Sequence, residues 1–92
     1  MKYSLNPDVV LVTVLDESML VFVGSDSNRI ISMQGVNETG AYYWKKLEQS
    51  MEIDDIVASA MRDYEITEEI ARPSFMRYLE SLRDAKFLTL EE

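Results

Sequence analysis

The chain has 92 residues, a formal net charge of −8, and neither cysteine nor histidine. That inventory excludes disulfides, thiolate nucleophiles, zinc–thiolate sites and imidazole general bases together. It is 47% hydrophobic with only three Gly and two Pro, which predicts one globular domain over residues 1–92 rather than a disordered chain.

Val9 to Leu15 reads as a strand with β-branched residues on both faces, and Asp16-Glu17 as a short connection. Ser18 to Val23 returns as a second strand, pairing with the first as a hairpin although no Asn-Gly or Asp-Gly marks the turn. Gly24-Ser25-Asp26-Ser27-Asn28 is a turn cluster by composition, and Arg29 to Met33 reads as a third strand. Sequential strands with short links predict an antiparallel meander. The longest apolar runs, Val9–Val14 and Met19–Val23, are of strand length and too short to cross a bilayer. No charged n-region followed by an apolar h-region opens the chain, so no signal peptide is expected and the simplest reading is cytoplasmic.

Asn37 is a favourable N-cap for a first helix, flanked by Val36 and Ala41 where a hydrophobic staple would sit. Ala41, Trp44 and Leu47 then form an apolar stripe. A second helix is expected over Ile53–Tyr64, with Ile53, Ile56, Val57, Ala60 and Tyr64 on one face. Glu52 is a poor cap for it, while Asp54 and Asp55 suit its positive first turn. Thr67 reads as the N-cap of a third helix whose core face carries Phe75, Tyr78, Leu79 and Leu82. Pro73 should kink that helix or delay its regular start until Pro73 itself. Phe87-Leu88-Thr89-Leu90 is a short extended tail expected to fold back on the core. The expected class is therefore α+β and winged-helix-like: a three-stranded antiparallel sheet followed by three helices.

Catalysis is not expected, because no histidine can activate a hydroxyl or amine nucleophile. The carboxylates Asp54, Asp55, Glu68 and Glu69 are better explained by first-turn complementarity to the helix dipoles. A metal site is not expected either, since Asp26 is alone in its loop. Charge argues against nucleic acid. Residues 1–46 carry four basic and five acidic groups, residues 47–92 five basic and twelve acidic. A helix opening with Glu68 and Glu69 in the recognition position would repel phosphates, and Arg72, Arg77 and Arg83 do not form one face.

The string Val36-Asn37, Gly40-Ala41 and Trp44 resembles the signature of the PqqD-like family, named for pyrroloquinoline quinone synthesis protein D. Ile56-Val57, Tyr64 with Ile66, Tyr78-Leu79, Leu82 and Phe87-Leu88 follow in the family's order. The chain departs from the pattern at three places. Gln49-Ser50-Met51 stands where Asp-Gly is common, Ser74 where an acidic residue is common, and Lys86 where glycine is usual. The resemblance implies a recognition element that holds the leader of a ribosomally made precursor peptide and presents it to a modifying enzyme, typically of the radical S-adenosylmethionine type. It also implies binding by strand addition, the leader pairing with the third strand beside the third helix.

An open strand edge supplies the unpaired amides and carbonyls that such a mode needs. The candidate peptide-binding residues are Arg29, Ile30, Ile31, Ser32 and Met33 on the strand, with Arg72, Met76, Leu79 and Arg83 on one flank of the third helix. Tyr43, Trp44 and Val36 are assigned to the core. Two alternatives stand beside this reading: a winged-helix DNA-binding regulator, and a structural module that forms a homodimer through its open strand edge.

Overall fold

The computed structural model describes residues 2–24 and 30–91. Five strands and three helices follow in the order β1 (Lys2–Leu5), β2 (Val9–Val14), β3 (Glu17–Val23), β4 (Ile30–Val36), α1 (Glu38–Glu48), α2 (Ile53–Tyr64), α3 (Glu68–Asp84) and β5 (Leu88–Glu91). The meander is present as an antiparallel sheet of order β2-β3-β4, and the three helices follow it. The turn cluster Ser25–Asn28 and the start of the third strand at Arg29 lie outside the described residues.

The sheet alternates inner and outer side chains along its strands, apart from one register shift beside Val23. Leu11, Leu20 and Gln34 lie across from one another on the inner face, as do Val9, Phe22 and Ser32. Leu20 is fully buried and Val9 is nearly so, both against the helices. β4 extends to Val36, three residues beyond the expected end at Met33, because Gln34 and Val36 still find partners in Leu20 and Ser18.

A second, two-stranded sheet was not expected from the sequence. β1 pairs antiparallel with β5, from Lys2↔Glu91 to Leu5↔Leu88, so the extended tail is a strand with a distant partner. Asn6 reinforces the junction: its backbone amide donates to the Phe87 carbonyl at 2.9 Å and its side chain to the Lys86 carbonyl at 3.0 Å.

Asn37 caps α1 as expected, its side-chain oxygen accepting from the Gly40 amide at 2.8 Å. Thr67 occupies the N-cap position of α3 with extended backbone, yet its side chain makes no capping hydrogen bond. α3 begins at Glu68 and contains Pro73, so the proline does not delay its start. The missing Pro73 amide deprives only the Glu69 carbonyl of a helical partner, and both residues are exposed, where water can serve instead.

The helices cover the sheet's inner face. Tyr43, Trp44 and Leu47 from α1, Ile56, Val57 and Ala60 from α2, and Ala71, Phe75, Leu79 and Leu82 from α3 form one core with Phe87 and Leu88. Each large side chain contributes about 1.5–3 kcal/mol by leaving water. The Tyr43 ring sits edge-on to Phe75 at 4.8 Å, and Phe22 meets Phe87 at 6.2 Å. Tyr43 and Trp44 are thus core residues, as expected, and Val36 is partly buried against them. Outside the core, the Tyr42 hydroxyl donates to Asp63 at 2.6 Å and lies 2.7 Å from the Ser59 hydroxyl, joining α1 to α2.

Candidate functional site

The sheet order leaves the outer edge of β4 without a strand partner among the described residues. No residue of β4 is charged. Ile30 and Ile31 are each 57% exposed and Met33 54%, with Ser32 exposed between them. A register shift beside Val23 sets Val23 against Ile30 and Phe22 against Ser32, which leaves Ile31 as the extra residue of a bulge. The edge therefore carries backbone groups able to pair and apolar side chains that cover nothing within the described chain.

The sequence reading joined this edge to the Arg72–Met76–Arg83 flank of α3. Arg72 lies against the start of α2, where its guanidinium meets Asp54 at 3.0 Å and Glu68 at 2.9 Å. Those contacts, Glu68 first, hold its pKa above the ordinary value. Met76 and Arg72 line an open pocket of about 400 Å³ with Glu52, Ile53 and Asp54. Arg83 pairs with its neighbour Asp84 at 3.4 Å. Leu79 is fully buried and belongs to the core, so its side chain presents no surface to a ligand. Arg29 lies outside the described residues.

Tyr78, expected on the core face of α3, reaches the junction where β4 ends. The helical repeat puts Tyr78 roughly 120–160° around the axis from Arg72 and Met76. A side-chain carbon placed on Gly40 would lie 3.2 Å from Val36 Cβ and 3.3 Å from Tyr78 Cε1. The end of β4, the start of α1 and the middle of α3 thus converge at Gly40, and its lack of a side chain is what permits the approach. Burial raises the Tyr78 phenol well above its ordinary value, and its hydroxyl has no hydrogen-bond partner among the described residues. Gly40 was the one sequence signal for this junction, because a glycine inside a helix needs a reason.

Fold and edge together define a small α+β domain with an uncharged strand edge that has no strand partner among the described residues. The family model for coenzyme PQQ synthesis protein D (PqqD) matches residues 19–88, from β3 to the first residue of β5. The chain belongs to that family. It also resembles a solved structure, TbiB1 in complex with the TbiA(beta) leader peptide, with a TM-score of 0.79 at 20% identity, covering 100% of this chain and 99% of that one. No curated protein matches the sequence.

Proposed function

We propose that the protein is a leader-peptide recognition element, a binding domain that holds the leader of a ribosomal precursor peptide for a modifying enzyme of the radical S-adenosylmethionine type. The leader adds as a strand to the outer edge of β4 along Ile30, Ile31, Ser32 and Met33. Main-chain hydrogen bonds supply affinity, and alternate leader side chains supply specificity.

The observation that carries the reading is the exposed, uncharged edge of β4 in a chain of the PqqD family. Membership of that family and likeness in fold to a protein captured with a leader peptide support it. The chemistry is recognition without catalysis, in keeping with a sequence that lacks both histidine and cysteine. Among the described residues no helix is long and apolar enough to cross a membrane, and we assign the protein to the cytoplasm with its peptide and enzyme partners.

Of the α3 residues, Tyr78 is the one proposed to border the bound leader. Arg72 is occupied by two carboxylates, and Met76 opens toward α2. The same ion pairs disfavour the DNA-binding alternative, since they occupy the arginine nearest the start of α3 and leave Glu69 exposed there.

The test is amide chemical-shift mapping of labelled protein titrated with the leader half of a precursor encoded beside it. Shifts should concentrate on Ile30–Val36 and around Tyr78 and change little with added salt. No shift with any neighbouring precursor, together with shifts on adding duplex DNA at moderate salt, would overturn the reading.

A further inference from the structure

An antiparallel sheet with one face in water normally alternates apolar inward and polar outward. The β2-β3-β4 sheet does not. Its inner face packs on the helices through Val9, Leu20 and Phe22. The cross-strand rows of the opposite face are Val10↔Val21↔Met33 and Val12↔Met19↔Gly35, with Val14↔Glu17 at the hairpin end. Glu17 is the one charged residue in these three rows. Val10 is 45% exposed, Val12 36%, Val14 59% and Met33 54%, while Val21 between them is buried at 8% without belonging to the helical core. At the hairpin tip, Leu15 is 93% exposed and held at a left-handed φ of 56°. A branched hydrophobic residue in that region is strained as well as exposed, a combination that folding alone does not reward.

We propose that this sheet face is a self-association surface on which a second copy of the chain docks back to back. Two observations select a second copy. The first is area. With the stated exposures, Leu15 at the tip included, the face offers roughly 500 Å² of apolar surface, so a two-fold pair buries about 1,000 Å², the least that a specific interface needs. The second is charge. Each chain carries −8, of which residues 47–92 contribute twelve acidic against five basic groups, on the far side of the sheet from this face.

Face-to-face docking brings together two nearly neutral surfaces about 10 Å apart. It keeps the acidic helical layers beyond the roughly 8–10 Å over which salt lets charges interact. Any contact through the helices would instead press like charges together. A two-fold axis through this aliphatic face closes the assembly at two copies. The edge of β4 lies in the plane of the sheet and stays open, so this dimer differs from an edge-paired one in leaving two leader sites free. The inference does not depend on the peptide-binding reading.

The test is sedimentation velocity on the full chain from micromolar to near-millimolar concentration. A species of about 21 kDa, twice the 10.6 kDa of one chain, is expected. Val12→Glu and, separately, Val14→Lys should raise its dissociation constant at least about 100-fold by burying a charge on each side of the interface. Both variants should keep the wild-type circular dichroism and leader affinity, since both positions face water in the single chain. A chain monomeric throughout that range would overturn the proposal, as would a dimer that neither substitution weakens. A dimer that the leader peptide dissolves would place the contact on the β4 edge and overturn it equally.

Discussion

Gly40→Ala sets two known magnitudes against each other at one atom. Gly40 is the third residue of α1, where alanine is favoured over glycine by about 1 kcal/mol of helix propensity. The added carbon would lie 3.2 Å from Val36 Cβ, 3.3 Å from Asn37 Oδ1 and 3.3 Å from Tyr78 Cε1. None of the three neighbours can yield freely. Val36 Cβ is fixed to the backbone at the end of β4, and Asn37 Oδ1 is the cap itself, accepting from the Gly40 amide at 2.8 Å. The Tyr78 ring is held beside Tyr43, with centroids 5.7 Å apart. Overpacking of this kind costs about 1–3 kcal/mol, and loosening the cap adds to it. Crowding outweighs propensity, for a net loss of about 1 kcal/mol. In a domain of this size that lowers Tm by about 4–8 °C. Thermal and urea unfolding followed by circular dichroism measure it. A variant as stable as the wild type, or more so, would refute the reasoning and mean that the junction of β4, α1 and α3 is looser than the distances indicate.

Tyr78→Phe removes a buried hydroxyl that has no partner among the described residues, and should raise stability by about 1 kcal/mol in urea titrations at neutral pH. It also changes the alkaline limb. The buried phenol keeps its proton above the ordinary 10.0 while the unfolded chain releases it, so stability present below pH 10 falls as pH rises past it. The phenylalanine variant should lose less over that interval. Lys86→Gly relieves a left-handed residue at φ 66°, worth about 1–2 kcal/mol, against about 0.5–1 kcal/mol of added chain entropy. A small rise in Tm is expected, and a fall would show that the lysine side chain contributes more than its backbone strain costs. Leu79→Ala, at a fully buried position, should cost about 2–5 kcal/mol in equilibrium unfolding. Leader affinity measured below its unfolding transition should hold, because Leu79 supports the site from within the core.

The parts of this fold legible in the sequence are those fixed by neighbours along the chain. β2, β3 and β4 declare themselves by aliphatic runs with short connections, and α1 by Asn37 and the stripe behind it. β1 gave no such signal. Its four residues carry no periodicity, and they are strand only because they meet Leu88–Glu91 at the other end of the chain. Turns were equally silent, since Leu15, Ser50, Glu65 and Lys86 adopt left-handed conformations without glycine. Lys86 does so where the family usually has glycine, so the departure changes the residue and keeps the backbone.

At the candidate site, the open edge followed from the order of the strands. The neighbours of each helix face did not. Period assigns Arg72, Met76 and Tyr78 to faces of α3 but says nothing of which neighbour each face meets. That depends on how the helix crosses α2 and the sheet. The contact of Arg72 with Asp54, for example, links two different helices. Thr67 makes the same point at smaller scale: the residue type suited a cap, and the side chain does not make one.

The β1–β5 ribbon has a mechanical and architectural consequence. Lys2 sits opposite Glu91, so the chain enters and leaves the fold at one place, like the two leads of a clasp. Any segment joined to either end would depart from the same spot, on strands separate from β4. Fusing a fluorophore, an anchor or an enzyme to the front or the back should therefore give equivalent geometries at the candidate edge. A pull applied across both ends would unzip the ribbon pair by pair before the β2-β3-β4 sheet bore the load. The domain is suited to being carried by another protein in either order while keeping β4 presented.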